Sequence, residues 1–254
     1  MTSLPRLMVA PNGARRMKVD HPALPITLPE IMETARDCAV AGADGLHLHL
    51  RDAEGRHVLD AGLYREALTE LRAAVPDMAL QITTEAVGRF AAPYQRAVAL
   101  EAGAGLVSAA LREMIKDTDY AVTQGFYLEC EARSIAVQHI MYCPAEFDLL
   151  AHLLPVEMLR DPQLQLIFVL GRYSKTQESA PSDLYPFIKR MERMRLNPDW
   201  SVCAFGRAET ACLLEADRLG GKLRVGFENS LRNADGGVAQ DNAERVREVR
   251  CALG

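Results

Sequence analysis

Short apolar runs alternate with amphipathic helical segments along this chain of 254 residues, and eight such pairs can be counted. Strands that alternate with helices predict a parallel sheet, because each helix returns the chain to the start of the next strand. Eight repeats at this length predict an α/β fold closed into a (β/α)8 TIM-type barrel, with one domain over residues 1–254. The predicted strands are Leu7–Pro11, Gly45–Leu50, Ala79–Thr84, Gly105–Ala110, Ile135–Tyr142, Leu164–Leu170, Ser201–Phe205 and Leu223–Phe227.

Local signals mark the ends of the predicted helices. Thr27 and Glu30 form a capping-box pattern with a proline between them, which predicts a helix that runs to Ala41. Asp60 is expected to cap the next helix, which Pro76 ends. The segment 171–181 is predicted to be a long, mobile loop.

Composition and charge narrow the class of protein. The formal net charge of −5 argues against a nucleic-acid partner, and no apolar run is long enough to cross a membrane. The first residues lack the layout of a signal peptide. The six cysteines have no CxxC or framework spacing. The sequence therefore predicts reduced thiols in a cytoplasmic protein. Cys143 precedes a proline near a strand end, and we favour a packing role for it over a nucleophilic one.

Two histidines share one face of the second predicted strand. His47 and His49 alternate with three leucines, and their α-carbons are expected to lie about 6.6 to 7 Å apart. Two buried titratable groups on an apolar strand cost stability unless they are paired or bind a metal. The pair therefore predicts a site for one divalent metal, with two core or surface histidines as the alternative.

A barrel of this type carries its functional site at the C-terminal ends of the strands. Glu228 ends the last predicted strand and shares one face of it with Arg224, so it is a candidate third metal ligand, with an ion pair to Arg224 or Arg51 as the alternative. The other polar residues at strand ends are Asn12, Arg15, Thr83, Thr84, Glu85, Arg112, Glu113, Gln138, His139, Arg172, Arg207 and Asn229. The remaining histidines are expected to be structural or solvated, namely His21, His57 and His152.

Five segments resemble, in order and spacing, the β-keto acid cleavage enzymes, and the match extends over nearly the whole chain: residues 7–14, 24–30, 41–52, 81–84 and 224–229. The specific part is His-x-His-x-Arg on a strand followed far downstream by Arg-x-Gly-x-Glu. The resemblance implies a TIM-type barrel, usually a homotetramer, with one Zn²⁺ held by His47, His49 and Glu228. It also implies a Claisen-type exchange in which a β-keto acid and acetyl-CoA give acetoacetate and a new acyl-CoA.

The chain departs from the family pattern at four places. Arg15 stands where family members typically carry glutamate, and Glu85-Ala86 stands where they carry a Gly-Gly pair. On the fifth strand, Gln138 stands where the family usually has an acidic residue. Asn229 replaces an aspartate that, in the family, is thought to pair with the arginine matching Arg224 and to take the substrate proton. Asparagine cannot accept that proton at neutral pH.

These departures lead to an expected division of roles. Glu85 is the first candidate for the missing base and Glu113 the second, with a charge swap that pairs Glu85 with Arg15 as the alternative. Arg224 is expected to bind or offset the substrate carboxylate. The candidate catalytic positions are thus Arg224, Glu85 and Asn229, and the candidate substrate-binding positions are Asn12, Arg15, Thr83, Thr84 and Glu113.

Acetyl-CoA enters these expectations only through the resemblance, because neither the loop 171–181 nor Arg207 presents a CoA motif. Two other functions are compatible with the residues. One is a zinc-dependent retro-aldol or decarboxylating lyase that needs no thioester. The other is a metal-holding protein that binds a small molecule and has lost its base with Asn229.

Overall fold

Eight parallel strands close into a barrel in this computed structural model, which describes residues 3–116 and 118–254. The order around the barrel follows the chain, and the last strand pairs with the first. The predicted (β/α)8 barrel is therefore confirmed. The barrel strands are β1 (Leu7–Val9), β2 (Gly45–Leu48), β5 (Ala79–Thr83), β6 (Leu106–Ala110), β7 (Ala136–Met141), β8 (Gln165–Leu170), β9 (Asp199–Ala204) and β10 (Lys222–Val225), and a separate hairpin contains β3 (Leu50–Arg51) and β4 (His57–Val58).

Helices follow each barrel strand and cover its outer face. The capping box at Thr27 is present, and the Asp60 side chain accepts a hydrogen bond from the backbone N–H of Leu63 at 2.9 Å, as the sequence predicts. The helices are α1 (Leu28–Val40), α2 (Ala61–Ala74), α3 (Ala92–Glu101), α4 (Leu111–Met114), α5 (Tyr120–Ala132), α6 (Glu146–Leu153), α7 (Val156–Leu159), α8 (Tyr185–Met194), α9 (Glu209–Arg218) and α10 (Asn242–Leu253), with a 3-10 turn at Pro181–Leu184.

Alternation along the strands divides the side chains into two sets. Outward residues such as Leu46 and Phe168 pack against the helices and form the main core. Inward residues at mid-height are polar and hydrogen-bonded across the barrel: Gln81 donates to Gln138 Oε1 at 2.9 Å, and Gln138 donates to Ser201 Oγ at 2.9 Å. The interior below the site thus contains hydrogen bonds between side chains of different strands, which fix inward side chains better than an apolar layer of adaptable contacts.

The second barrel strand is shorter than predicted. It ends at Leu48, and the chain then leaves the barrel, so that Leu50–Arg51 pairs with His57–Val58 instead of extending β2. Asp52 causes the reversal, since its Oδ1 accepts hydrogen bonds from the backbone N–H groups of Glu54 and Arg56. His49 consequently lies just beyond the strand end, at the rim of the barrel.

The last strand also ends early, at Val225 rather than Phe227. Gly226 follows with φ +137°, and a Cβ there would lie 2.5 Å from the backbone oxygen of Ala10. Only glycine tolerates this close approach, which turns the chain inward just before Glu228.

None of the described helices has both the length and the apolar character needed to cross a membrane. All six cysteines are free thiols in the structure, and four of them are buried.

Candidate active site

His47, His49 and Glu228 bring their ligand atoms together at the C-terminal end of the barrel. The two Nε2 atoms lie 3.1 Å apart, and the Glu228 carboxylate oxygens lie 3.8 Å from His47 Nε2 and 3.6 Å from His49 Nε2. Two nitrogens bound at 2.0–2.1 Å to one tetrahedral ion would be about 3.3 Å apart. The spacing of the three groups therefore suits a single divalent ion.

The protonation states suit a metal as well. His47 Nδ1 lies 2.7 Å from Gln81 Oε1 and donates to it, which leaves the Nε2 lone pair free. Burial and the neighbouring charge of Arg224 lower the pKa of His47 well below its ordinary value, so the ring is neutral. Glu228 Oε2 is buried without a hydrogen-bond partner, an unfavourable state that a cation would relieve.

Glu228 stays ionised in this buried position. Burial alone would raise its pKa, but the charge of Arg224 and the interaction with His49 outweigh burial and hold the pKa of Glu228 well below its usual range. Gly13, at φ +61°, makes room for this side chain, since a Cβ on Gly13 would lie 2.6 Å from Glu228 Cγ. The carboxylate is thus available as an anionic ligand.

Arg224 is a buried guanidinium with unused donors. It is 4% exposed; its Nη2 lies 3.3 Å from Cys203 Sγ and 3.7 Å from Glu228 Oε2. Its Nε and Nη1 are buried and have no hydrogen-bond partner. An unsatisfied buried cation is costly, and an anionic ligand with two oxygens would satisfy it.

Glu85 faces the metal ligands from the end of β5. Its Oε2 lies 4.0 Å from His49 Nδ1, and its Oε1 lies 3.5 Å from Arg172 and 3.9 Å from Arg15. The His57 ring donates to the Glu85 backbone oxygen at 3.1 Å. The carboxylate is therefore held at the site between two arginines, and the Arg15 contact is the longer of the two.

Not every predicted site residue lines the same space. His47, His49, Thr83, Glu85, Arg224 and Glu228 line one small cavity, while Asn12 and Arg15 line the space just outside it. Three other side chains form hydrogen bonds to the surrounding backbone: Thr84 donates to Ser108 O, Glu113 accepts from the N–H of Ala86, and Asn229 donates to Arg224 O. These three support the site from behind.

His57 was expected to be structural or solvated, and it is buried, with its ring 5.2 Å from that of His49. Burial lowers its pKa to about 3, so it is neutral. Its hydrogen bond to the Glu85 backbone makes it a structural support of the site, and the unpredicted hairpin carries it there.

Four residues of the cavity wall were not predicted from the sequence. Alternation from Gln138 places the side chains at positions 140 and 142 inward, and the same pattern on β8 and β9 places those at 169 and 205 inward. Strand alternation could therefore have predicted all four. Arg172, which was noted only as a polar residue at a strand end, covers the Phe205 ring at 4.9 Å from the ring centre. The missed wall residues are Ile140, Tyr142, Val169 and Phe205.

Comparison with known proteins places the chain among enzymes. A family model described as beta-keto acid cleavage enzyme matches residues 6–253. The 3-oxoadipate:acetyl-CoA acetyltransferase of Cupriavidus necator is 26% identical over 253 residues, which cover 96% of this chain and 86% of the relative. The 3-keto-5-aminohexanoate cleavage enzyme of Fusobacterium nucleatum is 26% identical over 243 residues, which cover 93% of this chain and 86% of that relative.

Solved structures share the barrel. The complex of ObcA with oxaloacetate superimposes with a TM-score of 0.65 at 18% identity over 91% of this chain, which spans 64% of the length of the ObcA chain. A type I 3-dehydroquinate dehydratase from Clostridium difficile gives a TM-score of 0.63 at 13% identity. The superposition covers 99% of this chain and 93% of the dehydratase chain. Similarities at these identities support the fold alone.

Proposed function

We propose that this chain, which belongs to the β-keto acid cleavage enzyme family, is a zinc-dependent enzyme that exchanges acyl groups between a β-keto acid and acetyl-CoA. The products would be acetoacetate and a new acyl-CoA. The family resemblance drawn from the sequence is confirmed. The observation that carries the proposal is one cavity that combines a metal-ligand set with the buried, unsatisfied guanidinium of Arg224.

Arg224 binds the carboxylate of the β-keto acid in this proposal. Its Nε and Nη1 can form the paired hydrogen bonds that a carboxylate accepts. Thr83 lines the same cavity, and its Oγ1 accepts from the Glu85 N–H at 3.0 Å, which leaves the hydroxyl hydrogen free to donate to the substrate.

A divalent ion bound by His47, His49 and Glu228 would supply the Lewis acidity that offsets the negative charge on the substrate oxygens when a C2 proton leaves. Gln81 holds the His47 ring in the orientation and tautomer that this ligand set requires.

Glu85 takes the C2 proton. It is the carboxylate of this cavity that is not part of the metal-ligand set, and its backbone is held on both sides, by His57 at its own carbonyl and by Glu113 at the next N–H. Asn229 cannot accept a proton, and its side chain donates to the Arg224 backbone at 3.1 Å. The base has thus moved to the end of a different strand.

The test is turnover of a panel of β-keto acids, 3-oxoadipate among them, with and without acetyl-CoA. We expect acetoacetate and a new acyl-CoA only when both substrates are present. Consumption of the keto acid without a thioester would replace the proposal with a lyase, and binding without consumption would replace it with a binding protein. The His47→Ala, His49→Ala double variant is the control that assigns any turnover to this site.

A further inference from the structure

A second cavity, of about 280 Å³, lies beside the site between the loops that follow β9 and β10. Three guanidinium groups line it, from Arg16, Arg207 and Arg232. Among the described residues of its lining, Glu178 is the only carboxylate. The cavity is therefore locally positive in a chain whose formal net charge is −5.

These three guanidiniums form no ion pair within residues 3–116 and 118–254, where none of them has a carboxylate oxygen within 4.0 Å. Arg16 donates from Nη2 to the Asn229 backbone oxygen at 3.3 Å, and its Nη1 is buried without a partner. Arg232 donates from Nη1 to the backbone oxygen of Gly236 at 2.8 Å. Most of their donors remain available to an anion.

The position of the cavity points to a particular anion. Barrels of this architecture frequently bind phosphate with the loops after their seventh and eighth strands, which are β9 and β10 here, beside the N-terminus of a helix. Helix α9 begins at Glu209, next to this cavity. The backbone N–H of Arg207 already donates to a carboxylate oxygen of Glu178 at 2.7 Å, so this loop presents a donor to an acidic oxygen.

The second cavity and the metal-ligand set border on one intervening space. A space of about 120 Å³ between them shares Arg16, Gln177 and Phe205 with the arginine-lined cavity. The same space shares Glu85, Arg172 and Glu228 with the cavity over the histidines. One elongated ligand could therefore place a reactive end near Glu228 and a multiply charged end among the arginines.

We infer that the arginine-lined cavity binds the phosphate groups of the acyl thioester substrate. The inference rests on the proposed function, in which that thioester is acetyl-CoA. Arg207 and Arg232 bind the phosphates directly, Arg16 lines the passage to the reactive end, and Glu178 opposes binding by charge.

The experiment is isothermal titration of the metal-loaded protein with CoA and with pantetheine, which lacks the nucleotide and its phosphates. We expect Arg207→Gln and Arg232→Gln each to weaken CoA binding about tenfold and to leave pantetheine binding unchanged, because each removes a charge-assisted hydrogen bond. Glu178→Gln keeps a side-chain oxygen for the Arg207 N–H but loses the charge, so it should tighten CoA binding about twofold. Arg218→Gln, an exposed arginine of α9 paired with Glu215, is the matched control and should bind CoA as the wild type does.

Equal affinity of the wild type for CoA and pantetheine would overturn the inference, and so would unchanged CoA affinity in both arginine variants. Turnover separates this outcome from failure of the proposed function. A protein that binds CoA through these arginines but forms no acetoacetate contradicts the function and keeps the inference. Turnover with a wild-type KM for acetyl-CoA in both variants contradicts the inference and keeps the function.

Discussion

The inner and outer parts of the candidate active site are built differently. The inner part comes from barrel strands and the residues that end them, and its His47 and Arg224 are 1% and 4% exposed. The outer part comes from loops, and the Arg15 side chain there is 63% exposed. Strand register fixes the inner groups, whereas the outer groups can change without disturbing the barrel. We therefore expect the inner part to set the chemistry and the outer part to set which substrates reach it.

The largest expected effect lies in the inner part. The His47→Ala, His49→Ala variant should lose its bound metal and lower turnover about 10³-fold or more, because a Lewis acid contributes several kcal/mol to charge stabilisation. Elemental analysis of protein purified without added metal, together with turnover, measures both effects. His152→Ala removes an exposed histidine on α6 and should change neither. Full metal content in the double variant would contradict the assignment of ligands.

The next effect is at the boundary between the two parts, at Glu85, the proposed base. Glu85→Gln keeps the shape of the side chain and removes the charge, and we expect turnover to fall about 10²- to 10⁴-fold. Asn229→Asp should not restore it, because the new carboxylate would lie beside the buried Glu209, which Asn229 hydrogen-bonds, and would lose the donor to Arg224 O. Near-normal turnover in Glu85→Gln, combined with increased turnover in Asn229→Asp, would return the base to position 229.

Arg224→Lys probes the inner part with a smaller change. Lysine keeps the charge but loses the planar pair of donors, so we expect a folded protein with turnover reduced about 10- to 100-fold. The metal content should stay at the wild-type level, which separates carboxylate binding from metal binding. Arg56→Lys, at an exposed position of the β3–β4 hairpin, is the control for the same substitution. Unchanged kinetics in Arg224→Lys would refute its role.

The sequence predicted the inner part better than the outer part for a physical reason. Alternation along a strand places His47 and His49 on one face, and a barrel brings strand ends together, so the metal-ligand set required only local patterns. The cavity formed by Arg16, Arg207 and Arg232 depends on how two loops fold over each other, and no periodicity encodes that. The Asp52 turn was readable in principle, but the apolar run through Leu50 favoured a longer strand.

The smallest effect concerns the outer rim, where α1 begins. Partial burial would raise the pKa of Glu30, but hydrogen bonds from Lys18 and from the backbone N–H groups of Thr27 and Ile26 lower it from 4.5 to about 2. A lowered folded-state pKa contributes stability that is complete above about 4.5 and is lost as the pH falls toward 2. The Glu30→Gln variant lacks this contribution, so its stability should converge with that of the wild type over this range.

Because the Glu30 side chain is 36% exposed, solvent screens its interactions, and we expect a difference at pH 7 of about 0.5 kcal/mol or less. Urea unfolding of both proteins between pH 7 and pH 2 measures it. Glu33→Gln, an exposed glutamate on the same helix, makes the same change of charge without a capping role and serves as the control. A difference between wild type and Glu30→Gln that stays constant down to pH 2 would mean that the capping box stabilises the rim by geometry alone. The charge of Glu30 would then contribute nothing to the framework that holds the loops of the outer site.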